Sequence, residues 1–249
     1  MAEDYRQKLV RLTELLRQPG KHWALTGAGI STDSGIPDYR SPGTGLWEKM
    51  DPTRVASVEA LEEDPVFFFR MNLPRWAKVQ EALPNPGHLA LARLEQEGFI
   101  QGVVTQNVDG LHLKAGSKRV YEVHGHLRTA RCLSCGRSYA FAEMWDQFQR
   151  GTVPPRCRCG GMLRPDVVLF GDPMSEDYYA AARELEDCDL LLVIGTSLQV
   201  YPVAGLPRYA RKLAIINLMP TPYDREAEVV IQEPISQVMG DLLQMLGIG

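Results

Sequence analysis

His22-Trp23-Ala24-Leu25-Thr26-Gly27-Ala28-Gly29-Ile30-Ser31 opens the stretch that decides the fold, and it runs on to Asp38-Tyr39-Arg40. An apolar run that stops at a Gly-x-Gly turn reads as a strand delivering backbone N–H groups to a phosphate. Glycine lets the backbone approach the anion closely, and a helix start beyond it adds a positive dipole end. The dehydrogenase fingerprint asks for a third glycine three residues after the second, but Thr32 stands there and the next glycine is Gly35. Nor does a clear second strand end in a ribose-binding acid about 20 residues on. Taken alone, Gly-x-Gly reads more readily as a tight turn.

Working outward, strand-like runs recur and each ends in small or polar residues. Ile100–Thr105 leads into Gln106-Asn107-Val108-Asp109-Gly110, and Val120–Val123 into His124-Gly125. Asp166–Phe170 ends at Gly171, Leu190–Ile194 at Gly195-Thr196-Ser197, and Leu213–Ile216 at Asn217. Near-continuous Val/Ile/Leu runs imply a parallel sheet buried on both faces. Helical patterns lie between them: Tyr5, Leu9, Leu12, Leu15 and Leu16 share a face before Pro19-Gly20, and His88–Glu97 and Glu176–Leu185 follow. The alternation predicts an α/β doubly wound sheet. Ligands of such sheets bind at the carboxyl ends of the strands, so the scattered polar turns should converge on one crevice.

Bulk properties exclude several classes. The chain has 249 residues, 45% of them apolar, and a formal net charge of −4 with no basic run. A nucleic-acid backbone is therefore a poor partner. The acidic start, Met1-Ala2-Glu3-Asp4, is not followed by the apolar core of a signal peptide, and no apolar run is long enough to span a membrane. Five cysteines, mostly clustered, fit metal binding in a reducing cytoplasm better than disulfides. A cytoplasmic location is expected.

Two segments interrupt the α/β pattern. Residues 41–84 are punctuated by proline and carry Phe67-Phe68-Phe69 and Trp76, as a small helical module or lid would. Residues 128–165 carry Cys132-x-x-Cys135 and Cys157-x-Cys159, with little core of their own. Two close pairs of thiolates 21 residues apart can supply a closed tetrahedral zinc site, which is structural because no position remains for substrate. Binding also supplies folding free energy to a segment too small to fold alone. The second pair is tight, and Gly160-Gly161 could relieve the strain. A disulfide or a redox pair remains the alternative, and Cys188 reads as a small buried hydrophobe.

His124 should face the same crevice as Asn107 and Asp109. A histidine titrating near neutrality can there accept a proton from a sugar hydroxyl. The bland readings are a structural histidine, an Asn-Val-Asp-Gly turn, a surface pair of Asp38 and Arg40, a Thr196-Ser197 cap, and a His124-x-His126 metal pair. Turns and caps do not readily explain their joint occurrence at strand ends.

These motifs together resemble the sirtuins of the bacterial and archaeal type, NAD-dependent protein-lysine deacylases, over nearly the whole length. The matching residues are Gly27-Ala28-Gly29-Ile30-Ser31, Ser34-Gly35-Ile36-Pro37-Asp38-Tyr39-Arg40, Gln106-Asn107-Val108-Asp109-Gly110-Leu111-His112 and His124-Gly125. The cysteine quartet, Val168-Leu169-Phe170-Gly171 and Gly195-Thr196-Ser197-Leu198 complete the series. The resemblance implies one catalytic unit over 1–249, with a Rossmann-like large domain of 1–40, 85–127 and 166–249. A smaller inserted domain would join the helical module 41–84 to a zinc ribbon of 128–165.

It also implies site roles. Gly27, Ala28, Gly29, Thr32, Asp38, Tyr39, Arg40, Gln106 and Val108 would contact NAD, with Asn107 and Asp109 beside the nicotinamide and its ribose. Gly195, Thr196, Ser197 and Asn217 would hold the adenosine half. Val168, Leu169, Phe170 and Gly171 would line the acyl-lysine tunnel and pair with the peptide. His124 would be the general base, with Asn107 and Asp109 completing the catalytic set. Cys132, Cys135, Cys157 and Cys159 would hold one Zn2+. In the family mechanism the acyl oxygen attacks the anomeric carbon, nicotinamide departs, and O-acetyl-ADP-ribose is released. NAD is consumed, which removes the need for the missing dehydrogenase features.

Three departures stand out. Tyr39 replaces the usual phenylalanine, Asp172 replaces a common glutamate, and Asn72-x-x-Arg75 stands where succinyl-preferring members carry Tyr-x-x-Arg. Acetylated lysine in a protein or peptide is therefore the expected partner. Mono-ADP-ribosyltransfer, or a non-catalytic zinc-containing acetyl-lysine binding module, is the alternative.

Overall fold

The computed structural model describes residues 3–38, 43, 45 and 51–249. The chain opens with α1 (Glu3–Arg17), β1 (His22–Thr26) and a 3-10 segment, Ala28–Ser34. Three helices follow, α2 (Pro52–Ala56), α3 (Val58–Glu63) and α4 (Pro65–Glu81), then α5 (Pro86–Gln96). The middle of the chain runs β2 (Val103–Thr105), α6 (Leu111–Ala115), β3 (Val120–Glu122), β4 (Gly125–Cys132), β5 (Ser138–Ala140), α7 (Phe141–Gln149) and β6 (Leu163–Val167). It closes with α8 (Glu176–Leu185), β7 (Leu190–Ile194), a 3-10 segment Val203–Tyr209, β8 (Leu213–Ile216), β9 (Val229–Ile231) and α9 (Ile235–Leu246).

Six strands form a parallel sheet in the order β3-β2-β1-β7-β8-β9. Every residue of β1 and β7 is buried, as the unbroken apolar runs require. Alternate side chains serve opposite faces. Ala24, Leu192, Ile194 and Ile216 pack under α1, α5 and α9, whereas Trp23, Leu25, Leu191, Val193 and Ile215 pack against α8 and the 203–209 segment. All five apolar residues expected on the inner face of α1 are buried. This is the doubly wound sheet expected from the sequence.

Two expectations are corrected. The turn after β1 continues as a 3-10 segment and not as an α-helix. The run Asp166–Phe170 is not a strand of the large sheet: β6 ends at Val167 and pairs antiparallel with β4 in a separate sheet ordered β5-β4-β6. Apolar content marks that run as extended but carries no information about its partner. β9 adds a further strand of three residues, too short for an apolar pattern to mark it in the sequence.

The small sheet and the helices α2–α4 share one apolar cluster. Leu61, Phe68, Phe69, Leu73 and Trp76 of the helices pack with Leu127, Tyr139, Phe141, Met144 and Leu163 of the sheet module. Phe68 meets Phe69 and Trp76 edge-on, with ring centroids 5.4 and 5.9 Å apart. Pro65 and Asp64 start α4, the aspartate accepting from the Phe67 N–H. Neither module could bury this surface alone. Phe68→Ala should cost about 3–5 kcal/mol and loosen both modules in one transition, as chemical denaturation followed by tryptophan emission would show.

Candidate active site

Strand order reverses between β1 and β7, the position where doubly wound sheets bind ligands. A cleft of about 500 Å³ opens there. Its floor comes from strand ends: Gly27, Ala28 and Gly29 after β1, Gln106, Asn107 and Val108 after β2, and His124 after β3. Gly195, Thr196 and Ser197 follow β7, and Asn217 follows β8. Asp38 joins them, and Val168, Leu169, Phe170 and Gly171 form the facing wall. Residues spread over nearly the whole chain thus meet, as the strand pattern implies.

Not every expected residue reaches the cleft. Thr32 lies outside its lining, exposed, with its hydroxyl turned back onto the Gly29 carbonyl at 3.0 Å. Asp109 lies behind the floor and is 7% exposed. Tyr39 and Arg40 lie outside the described residues.

His124 Nδ1 is 3.0 Å from the Gln106 carbonyl oxygen. A carbonyl only accepts, so Nδ1 carries the proton and Nε2 keeps its lone pair. Burial pushes the ring below the ordinary histidine range, partly opposed by that hydrogen bond. His124 is therefore a neutral base at physiological pH.

Behind the floor lies a buried polar network. Asn107 Nδ2 donates to the Gly27 carbonyl and to Ser31 Oγ, both at 3.1 Å. Ser31 donates in turn to Asp109 Oδ2 at 2.8 Å, and Asp109 Oδ1 accepts from the Leu111 N–H at 2.9 Å. Burial raises the Asp109 carboxyl, while these two donors pull it down. Thr26 bridges Thr105 and His112 at 2.8 and 2.9 Å, and Gln106 Nε2 donates to Thr196 Oγ1 at 2.9 Å across the end of β1. His88 and His112 are held neutral by burial, at about 4 and about 3.

Several further residues line the cleft, and of these the sequence points only to Asn72 and Arg75. Val55, Ala56, Asn72, Arg75 and Trp76 come from the helical module, and Val200, Tyr201 and Pro202 from the segment after β7. The aromatic cluster was a visible signal for the module but not for which side faces the cleft. Asn72 is fully engaged: Nδ2 donates to the Val55 and Phe68 carbonyls, and Oδ1 accepts from Arg75 at 2.6 Å.

The four clustered cysteines lie apart from the cleft, with all four Sγ atoms within 4.8 Å of one another. Cys132 and Cys159 sulfurs are 3.5 Å apart, and Cys135 and Cys157 sulfurs 3.6 Å. A tetrahedral zinc with Zn–S near 2.3 Å requires sulfurs roughly 3.8 Å apart, whereas a disulfide requires about 2.05 Å. The donor set fits structural zinc. The Cys159 N–H and the Tyr139 hydroxyl, 3.1 Å away, hold the Cys157 thiol down at about 6. The tight Cys-x-Cys pair closes through Gly160, whose φ of +88° suits glycine. Among the described residues these cysteines form the one group of three or more such ligands, and His124 and His126 belong to no such group.

A doubly wound α/β protein with its ligand cleft at the strand switch, and a cysteine-bound module beside it, is the class these features define. A model of the Sir2 family matches residues 27–202. The chain is 49% identical over 244 residues to an NAD-dependent protein deacetylase of Caldanaerobacter subterraneus subsp. tengcongensis, with 98% of each chain covered. A Sir2 solved with a p53 peptide and NAD+ matches at TM-score 0.87 and 33% identity, over 96% of this chain and 98% of that one. Another, solved with a deacetylated p53 peptide and 3'-O-acetyl-ADP-ribose, matches at 0.92 and 33%, over 97% and 99%. The chain belongs to the Sir2 family, the sirtuins.

Metal analysis of the purified chain should find about one zinc. Cys135→Ser should lower both the zinc content and the melting temperature, and a zinc-free chain of unchanged stability would contradict the structural assignment.

Proposed function

We propose that the chain is an NAD-dependent protein-lysine deacetylase that moves the acetyl group of a modified lysine to ADP-ribose, releasing nicotinamide and O-acetyl-ADP-ribose. The observation that carries this is the His124 Nε2 lone pair, held at a cleft whose floor is glycine turns and whose wall is the 168–171 segment. Both likened Sir2 complexes combine a peptide with NAD+ or its acetylated product.

The glycine turns at 27–29, together with Asp38, Gln106 and Val108, would hold the nicotinamide half, and Gly195, Thr196, Ser197 and Asn217 the adenosine half. Thr32, Tyr39 and Arg40 complete our NAD set. Bound there, NAD supplies an activated bond between ribose and nicotinamide. Asn107 spends both amide hydrogens on Gly27 and Ser31, so Oδ1 is what it offers a ligand. Asp109 acts through Ser31 and the network. His124 takes a ribose hydroxyl proton at Nε2. Val168, Leu169, Phe170 and Gly171 enclose the acyl-lysine. Acetyl is favoured over acidic acyl groups because Arg75 is bonded to Asn72.

We read the chain as one catalytic unit of two domains, a large one of 1–40, 85–127 and 166–249 and a small one of 41–84 and 128–165. The separate small-module core supports it. We place the protein in the cytoplasm, where a reducing environment keeps four thiols available for metal. Among the described residues no helix is long and apolar enough to cross a membrane.

His124→Tyr should abolish turnover of an acetylated peptide while circular dichroism stays unchanged. With radiolabelled NAD, label should end in O-acetyl-ADP-ribose; label on protein would mean ADP-ribosyltransfer instead. Since His124 sits below the ordinary 6.5, its basic form persists as pH falls through neutrality. The acid limb of kcat/KM should therefore lie under pH 6.5, and a limb at pH 7 or above would count against His124 as the base.

A further inference from the structure

The wall of the cleft is tied down at three successive backbone N–H groups, each to a different part of the molecule. Val168 donates to the His124 carbonyl at 2.8 Å, and Phe170 donates to the Ala56 carbonyl at 2.8 Å. Between them, Leu169 donates to the Asp172 carboxylate at 2.7 Å. The Phe170 carbonyl accepts in return from Val58 at 2.9 Å. The wall thus bridges the candidate base on one side and the helical module on the other, and its middle residue is held by a side chain.

That side chain does more than close a turn. The same Asp172 oxygen that accepts from Leu169 pairs with Arg164 on β6. The two side chains are 8% and 15% exposed, which makes this the most buried of the ion pairs among the described residues. Arg164 Nη2 also reaches the Val167 carbonyl at 3.4 Å, whereas its Nε is buried without a partner. A buried pair of this kind gains little net stability over apolar packing. An apolar pair, however, could not accept the Leu169 N–H. Gly171, at φ +94°, lets the chain reverse so that Asp172 folds back beneath the wall.

We infer that Asp172 and Arg164 are positioning residues that set the acyl-lysine wall against His124, and so govern affinity for the acylated peptide without governing affinity for NAD. The inference rests on the reading of the 168–171 segment as the substrate wall. Strand β6 anchors Arg164, Arg164 orients Asp172, and Asp172 fixes Leu169 between the two segments that meet His124 and Ala56. Asp172 borders the cleft, but its carboxylate bonds run to Leu169 and Arg164, which makes its role one of positioning. Its removal frees the middle of the wall while the floor, built from β1, β2, β7 and β8, stays in place.

The test is binding measured separately for the two ligands, using a fluorescein-labelled acetyl-lysine peptide by polarisation and NAD by calorimetry. Asp172→Ala should weaken the peptide about tenfold or more, the scale of one lost charge-assisted hydrogen bond, with the NAD Kd within twofold of wild type. Asp172→Asn, which can still accept from Leu169 and is the more conservative change, should recover most of that loss. Arg164→Met should fall between the two. Peptide affinity unchanged in Asp172→Ala, or peptide and NAD weakened in parallel in the folded Asn variant, would overturn the inference. A wild-type protein that binds the peptide but never consumes NAD would instead overturn the proposed function, and leave the positioning role standing.

Discussion

The loops after β1 and β7 touch backbone to backbone, and the cleft exists because they do. The Gly29 N–H donates to the Gly195 carbonyl at 2.8 Å. A Cβ on Gly29 would lie 2.8 Å from the Gly195 Cα, and one on Gly195, at φ +62°, would lie 2.5 Å from the Ile30 nitrogen. No larger residue fits either position without parting the loops. The two neighbouring strand ends are therefore locked at the point where the strand order reverses. Gln106 and Thr196 then close across them, and the floor becomes one surface. Glycine in the opening motif thus serves the contact between loops.

Rigidity below the floor has a second source. Ser31 donates its only hydrogen to Asp109 and accepts from Asn107, so the direction of these bonds is set. A charged or half-satisfied group in this layer would be costly, and burial keeps His88 and His112 neutral. Asp109 explains itself in these terms. It lies beneath the cleft because its carboxylate is occupied by Leu111 and Ser31, and it orders Asn107 from behind. His124 obtains its tautomer from a main-chain carbonyl, which no substitution at position 106 can remove.

What the sequence discloses follows from how burial is written in it. β1, β7 and β8 lie in the middle of a two-faced sheet, so their residues are uniformly buried and, His22 and Thr26 apart, apolar, and their ends fall where the polar turns begin. The convergence of Gly27, Asn107, His124 and Ser197 follows from topology alone. β4 was illegible because only Leu127, Ala130 and Cys132 of its eight residues are buried, in broken alternation across a bulge. Asn72, Arg75 and Trp76 lie on a helix whose apolar residues serve both the module core and the cleft, so periodicity could not separate the two faces. Thr32 stands in the motif yet lies outside the cleft lining, its hydroxyl bonded locally to Gly29, a placement that the motif alone does not disclose.

The cysteine cluster and the chemistry are linked by chain connectivity and not by proximity. Cys132 and Cys157 contribute to the same apolar cluster as Phe68, Leu73 and Leu163, so metal binding and module packing are one folding event. From that cluster β6 emerges and, within five residues of its end, has become the cleft wall. The wall then bonds to the His124 carbonyl through Val168. A metal that never meets a substrate can therefore influence turnover, because the strand it steadies is the one that places the wall. The large sheet supplies a fixed floor, the small module supplies a wall whose position depends on its own folding, and His124 stands where the two are joined.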